Sequence, residues 1–192
     1  MGKQISNLCS QLQPQKKYVL VVGDKSCGKT TFVYGSRLKP GWEQSVFEPT
    51  VGYNYEEIRY TSGVLAIFDT PGNEALFPIV KNLYKNLNIS AIVFVFRLSN
   101  AASDFIKAKR RIKFLANEPE LKGCALAIVG NIFSDIDNQF KNVEYLKNAL
   151  GLNEIRHIHD DKKNIAVFDA KYNPGESEIV WKWLNEKIET DE

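Results

Sequence analysis

The chain has no long apolar run. None of its 192 residues falls in an uninterrupted apolar stretch near the ~20 residues that a membrane-spanning helix needs. Cysteine is scarce: Cys9, Cys27 and Cys124 are too widely spaced for a disulfide framework or a zinc cluster, so a reducing compartment is the expectation. Excess charge is small. A formal net charge of +2, from 25 basic and 23 acidic residues, gives no reason to expect nucleic acid as a partner. There are two histidines, His157 and His159, followed by Asp160 and Asp161; the run reads as a polar loop rather than a metal site. The first residues are too polar for a secretory signal. Internal repeats and low-complexity tracts are absent. What remains is an ordinary globular composition, 44% apolar and 25% charged, at a length that suits one domain with short extensions.

Within that composition one stretch carries chemistry. Gly23-Asp24-Lys25-Ser26-Cys27-Gly28-Lys29-Thr30 fits G-x-x-x-x-G-K-[ST], the phosphate-binding P-loop. Its glycines allow backbone N–H groups to wrap a phosphate. Lys29 brings positive charge to the β- and γ-phosphates, and the Thr30 hydroxyl is an oxygen ligand of the kind magnesium prefers. A helix starting there adds its positive dipole end. The flanks agree: Tyr18–Val22 is an apolar, β-branched strand entering the loop, and Thr31–Leu38 is helix-compatible.

The chain then alternates. After a loop from Lys39 to Val46, the runs Asn54–Tyr60 and Val64–Asp69, joined at Thr61-Ser62-Gly63, read as a hairpin. It leads into Asp69-Thr70-Pro71-Gly72-Asn73-Glu74. Asp69, at the end of an apolar strand near a P-loop, is placed to hold magnesium through a water, and Gly72 leaves a backbone N–H to reach a γ-phosphate. Ala75–Tyr84 reads as an irregular helix, Ala91–Phe96 as a strand buried on both faces, and Ser103–Asn117 as a helix with Phe105, Ile112 and Leu115 inward. Lys107, Lys109, Arg110, Arg111 and Lys113 form its solvated face. Cys124–Val129 is a strand, Asn142–Leu150 a helix ending at Gly151, and Ile165–Phe168 the last strand. Glu176–Ile188 is the last helix, with Ile179, Val180, Trp183 and Leu184 toward the core.

The N-terminus matches an N-myristoylation pattern, Met1-Gly2-Lys3-Gln4-Ile5-Ser6, with Gly2 as acceptor. Ile5, Leu8, Cys9 and Leu12 recur at helical spacing, before Pro14, Lys16 and Lys17. The segment reads as a short amphipathic helix lying in a membrane interface. A single acyl chain anchors only marginally, so the stripe, the lysines or palmitoylation of Cys9 would supply the second signal.

These motifs, in this order, resemble a small GTPase of the Ras superfamily, and most closely the ADP-ribosylation factor (Arf and Arf-like) family, over nearly the whole chain. Pointing there are Gly2 with its amphipathic segment, Gly28-Lys29-Thr30-Thr31, Pro49-Thr50-Val51-Gly52-Tyr53-Asn54-Tyr55-Glu56 as switch I and the start of a compact interswitch, and an ending, Thr190-Asp191-Glu192, without a prenylation cysteine. Leu150-Gly151-Leu152 with Arg156-His157 is also Arf-like. The resemblance implies an α/β small-GTPase fold with a mostly parallel six-stranded sheet flanked by helices. Residues 1–16 would form the myristoylated helix and 17–192 the GTPase domain. It implies GTP or GDP with Mg2+ as cofactors, held along Asp24, Lys25, Ser26, Cys27, Gly28, Lys29, Thr30 and Thr31. Thr30 and Thr50 would ligate the metal, Asp69 would contact it through water, and Gly72 would sense the γ-phosphate. Asn131 and Asp135 would meet the guanine, as would Asp169, Ala170 and Lys171, with the Ala170 N–H at O6. GTP would shift the interswitch hairpin and release the N-terminal helix to a membrane. The expected protein is a monomeric, cytoplasmic and peripheral membrane switch in vesicle or ciliary trafficking. Residues 2–13 would touch the membrane, and an exchange factor, an activating protein and effectors would meet the switches, with Tyr53 and Phe68 among the effector contacts.

Two departures bear on activity. The water-orienting position, normally Gln, holds Asn73, one methylene shorter, and the run also looks like the Asp-x-Pro-Gly-His-Glu of translational GTPases with Asn for His. Slow intrinsic hydrolysis is the expectation. The guanine motif Asn-Lys-x-Asp reads Asn131-Ile132-Phe133-Ser134, with Asp135 one residue late. Ser134 cannot take both guanine N1–H and N2–H₂ as a carboxylate does. Either Asp135 reaches in through a bulge or guanine binding is weakened, and retained but weaker binding is the expectation. A pseudo-GTPase scaffold is the second reading. A small-molecule kinase is the third, though no arginine-rich lid is evident.

Overall fold

The computed structural model describes residues 15–35, 50–133 and 136–189. The N-terminal segment with Gly2 and Cys9, the loop before Thr50, and Ser134 and Asp135 lie outside the described residues, as does the end of the chain. Among the described residues six strands form one sheet: β1 (Lys16–Gly23), β2 (Asn54–Tyr60), β3 (Gly63–Asp69), β4 (Ile89–Leu98), β5 (Ala125–Ile132) and β6 (Lys163–Asp169). Their spatial order is β2-β3-β1-β4-β5-β6. Only β2 runs antiparallel to its neighbour, through the hairpin with β3. The mostly parallel sheet expected from the alternating pattern is therefore present.

The described α-helices are α1 (Lys29–Tyr34), α2 (Phe77–Asn86), α3 (Ala102–Ala116), α4 (Val143–Leu150) and α5 (Ser177–Glu189). The central strands are apolar through their middles, residues 19–22, 91–96 and 125–129, because both faces are covered there. On one face β4 and β5 send Phe94, Phe96 and Ile128 against Phe105, Ile112 and Leu115 of α3 and Leu146 of α4. On the other, Val93 and Val129 pack with Phe32 of α1 and Val180, Trp181 and Leu184 of α5. The inward set of α3 is as expected.

α5 corrects the sequence reading. Ile179 is 66% exposed, and Trp183 is only partly buried. The buried face is Ser177, Val180, Trp181, Leu184 and Ile188, a tighter helical repeat than the one that included Ile179. Other differences are at element ends. Strand β4 reaches Leu98 through exposed Arg97, and β6 begins at Lys163, because ladder pairing with β5 continues past the apolar run. The helix expected from Ala75 begins as a tight turn, Glu74–Leu76, capped by the Asn73 side chain, before α2 proper starts with Pro78 in its first turn. α4 agrees with the reading: Asn142 caps its start, and Gly151 ends it in the left-handed conformation.

Candidate functional site

All the loops at issue leave the C-terminal ends of parallel strands, where open α/β sheets place ligands. The phosphate loop follows β1. Ser26 takes a left-handed backbone (φ 58), as does Gly28 (φ 87) at the start of α1, so the peptides turn inward instead of continuing the strand. A side chain at Gly28 would collide with Asn131 Nδ2 at 2.0 Å, so only glycine lets the base-side strand close over the loop. Lys29 is buried, and its Nζ donates to the loop's own carbonyls, Gly23 O at 3.2 Å and Asp24 O at 2.9 Å. Lys25 points to solvent. Cys27 is buried, donates to Val95 O at 3.1 Å, and burial pushes its thiol up to about 11; it is packing, not a reactive thiolate.

β3 delivers the second cluster. Asp69 is fully buried. Its Oδ2 accepts from Thr30 Oγ1 at 2.7 Å and from Asn54 Nδ2 at 3.2 Å, whereas Oδ1 has no partner among the described residues. Burial pushes the carboxyl up, although the hydrogen bonds from Thr30 and Asn54 and the charge of Lys29 oppose that rise. A divalent cation beside Asp69 would relieve both problems, since it would favour the carboxylate and its water shell would donate to Oδ1. The residues therefore fit magnesium. Thr30 and Asp69 are in contact, and Thr50, half-buried, opens the segment leading to Asn54. Asn54 is a site residue that the sequence reading missed; it faces Asp69 through the hairpin register.

The turn after Asp69 rests on the phosphate loop. Thr70 donates from its N–H and its hydroxyl to Val21 O, at 3.2 and 2.7 Å. A Cβ on Gly72 would lie 2.5 Å from Asp24 C and O and from Lys25 N, so glycine is needed for this approach as well. Asn73 is exposed; its Oδ1 accepts from Ala75 N at 3.1 Å, so the side chain caps the next turn. Arg111 of α3 was read as part of a solvated basic face. Instead it bridges Asp24 at 3.1 Å and Glu74 at 2.7 Å, pinning the loop and the turn to one helix. Lys109 likewise pairs with Glu154 at 2.7 Å, while Lys107, Arg110 and Lys113 remain exposed.

On the base side, β5 and β6 pair so that Asn131 and Asp169 end adjacent strands. Buried Asn131 donates to Cys27 O at 3.0 Å, and its own Oδ1 has no partner among the described residues. Ile132 packs against the core, so the position that is lysine in the motif carries no charge to the ligand. Exposed Phe133 stacks under the Arg97 guanidinium at 4.8 Å. Asp169 Oδ1 accepts from Lys171 N and Tyr172 N, both at 3.0 Å, which folds the Asp169-Ala170-Lys171 loop, and Ala170 packs against the core edge. Asp135 lies outside the described residues. His157 contacts the Ala116 carbonyl, and His159 pairs with Asp161 at 2.5 Å.

The ADP-ribosylation factor family model matches residues 3–188. The chain belongs to the ADP-ribosylation factor family. These proteins are small GTP-binding switches, so membership accounts for a phosphate loop, a buried aspartate and a glycine turn converging in one place. Among solved structures, the chain is similar to the Arl6 BBS3 small GTPase from Trypanosoma brucei, determined with a bound nucleotide analogue, GppNp. The TM-score is 0.72 at 21% identity, over 93% of this chain and 100% of that one. That likeness is one of fold. As an Arf-family interswitch, the hairpin differs from expectation in one respect. Phe68 is buried and ringed by Tyr53, Tyr55 and Tyr18, at centroid distances of 5.4, 5.3 and 6.1 Å, so the aromatics open to a partner are Tyr53 and Tyr55.

Proposed function

We propose that this Arf-family chain is a magnesium-dependent guanine-nucleotide switch with slow intrinsic hydrolysis, recruited to membranes through its N-terminus and acting in vesicle or ciliary trafficking. The observation that carries the reading is Asp69: a fully buried carboxylate in contact with the P-loop threonine, with one oxygen unpaired among the described residues. Such a group is costly without a ligand and suits one with a hydrated cation. Lys29, already among the loop carbonyls, would turn to the β- and γ-phosphates, and the Gly72 N–H would meet the γ-phosphate. Magnesium, when bound, would neutralise phosphate charge. Asn131 and the Asp169–Lys171 loop would flank the base. Calorimetry with GTP, GDP and ATP, each with magnesium, tests this. Guanine nucleotides should bind in the micromolar range or tighter, and ATP preference would sink the switch reading.

Asn73 supports slow hydrolysis, because its short amide is spent on Ala75. In single-turnover assays, Asn73→Gln should hydrolyse faster by about tenfold or more, the longer side chain bringing its amide to the attacking water. Equal rates, with or without an activating protein, would count against it. The pseudo-GTPase reading has its own observation. The base side has lost a cation at Ile132, so absence of all nucleotide binding would favour a scaffold. Membrane recruitment rests on Gly2. Binding of the myristoylated chain to liposomes should fall at least about tenfold in Gly2→Ala, since each buried methylene of the acyl chain contributes ~0.8 kcal/mol; unchanged partitioning would remove the lipid switch.

A further inference from the structure

Behind the turn at Thr70-Pro71 lies a solvent-open cavity of about 350 Å³ between the sheet, α2 and α3. This is within the size range of small-ligand pockets. Its walls are Val22, Val80, Phe94, Leu115 and the edge-to-face pair Phe77–Phe114, whose centroids are 5.8 Å apart. Phe114 is 47% exposed, so an aromatic ring stands at the mouth without being covered.

The polar groups in the wall are already used. The Thr70 hydroxyl donates to Val21 O, the Gly23 carbonyl accepts from Lys29, and Pro71 has no N–H. A sugar or a base entering here would leave its own donors and acceptors unpaired, which a buried site penalises. The rim is different. Arg110 and Arg111 stand on it together, and Glu74 is the acidic residue there. Arg111 holds Asp24 and Glu74. Arg110 is exposed and has no ion-pair partner among the described residues. The mouth thus offers an uncommitted cation above a greasy interior.

We propose that this cavity binds a free medium-chain carboxylate, its aliphatic tail against Phe77 and Phe114 and its head group at Arg110. The apolar wall takes the tail by burial alone, and a guanidinium takes a carboxylate with two parallel N–H donors. None of the tail contacts comes from Lys29, Thr30 or Asp69, but the wall includes Gly23, Thr70 and Pro71 beside the phosphate loop, so binding is compared in the chain with and without added GDP.

Sodium decanoate, kept below its micelle concentration, is the probe, titrated into the full chain by calorimetry. One-to-one binding is expected. Nuclear Overhauser contacts should run from the decanoate methylenes to the Phe77 and Phe114 rings. Arg110→Glu, a change on an exposed helix face, should weaken decanoate by about tenfold or more, because it replaces a charge-assisted contact with a repulsion. Phe114→Ala should weaken it too, by loss of apolar contact. Decyltrimethylammonium, with the same tail and the opposite charge, should bind wild type at least about tenfold more weakly than decanoate and should gain in Arg110→Glu. No saturable decanoate binding would overturn the proposal. So would equal affinity for the two detergents, an unchanged affinity in Arg110→Glu with its melting temperature intact, or contacts confined to rings elsewhere in the protein.

Discussion

Lys29→Met should lower guanine-nucleotide affinity by roughly a hundredfold or more, about 3 kcal/mol, while leaving the nucleotide-free fold nearly as stable. The methionine keeps the length and apolar stem but removes the buried cation of the phosphate loop. In the structure that cation donates to two backbone carbonyls, Gly23 O and Asp24 O. Losing those neutral acceptors' partner costs at most about 1–2 kcal/mol, because both lie where water can reach once the ammonium is gone. Losing a charge facing a triphosphate costs more, because each contact there is charge-assisted. Calorimetry and thermal melting of the same preparation separate the two effects. Equal nucleotide affinity in wild type and variant would mean that Lys29 never leaves the loop carbonyls, and the phosphate-binding role would fail with it.

The largest stability effect is expected in the core on the sheet's second face. Trp181 is fully buried, with Phe32 at 5.1 Å between centroids, and Phe32 in turn meets Phe168 edge-on at 5.2 Å. That stack joins α5, the phosphate-loop helix α1 and the strand carrying the Asp169 loop. Trp181→Ala should cost about 3–5 kcal/mol, since neighbours on two elements cannot collapse into so large a void. In a chain of this length that lowers the melting temperature by on the order of 10 °C. Trp181→Phe should cost about half as much or less. The indole Nε1 has no hydrogen-bond partner among the described residues, so removing it also removes an unpaired buried donor. Denaturant melts of the two variants give the comparison. Equal losses would mean that the size of the void does not set the cost.

Much of this architecture was legible in the residue order. Strands buried on both faces, such as Ala-Ile-Val-Phe-Val-Phe at 91–96, announce a parallel sheet because nothing else hides both sides of a strand. The phosphate loop was legible because its chemistry requires particular residues at fixed spacing. Element ends were less so. Arg97 and Lys163 belong to strands through hydrogen bonds to β5, which hydropathy does not register. In α5 the sequence offers two apolar rows. Residues 177, 180, 181, 184 and 188 repeat cleanly, but Ile179 and Trp183 offered a second apolar row, and only the packing against Phe32 decides between them. Asn54 was recoverable in principle, since pairing Tyr60 with Gly63 across the turn counts back to Asn54 opposite Asp69. Arg111 was not. Its reach to Asp24 and Glu74 depends on how α3 is rotated on the sheet, and no spacing in the sequence encodes that.

Two oxygens without a partner among the described residues, Asp69 Oδ1 and Asn131 Oδ1, belong to fully buried side chains that hydrogen-bond Thr30 and Cys27 of the phosphate loop. Each raises the free energy of the empty fold, and a ligand spanning the loop would satisfy both. Ligand that binds only the native state stabilises it in proportion to the logarithm of its concentration. On the proposed function, the lifetime of this chain in a cell would therefore follow nucleotide supply. A pool depleted of guanine nucleotide would expose it to unfolding and proteolysis, and abundance, as much as signalling state, would report that depletion.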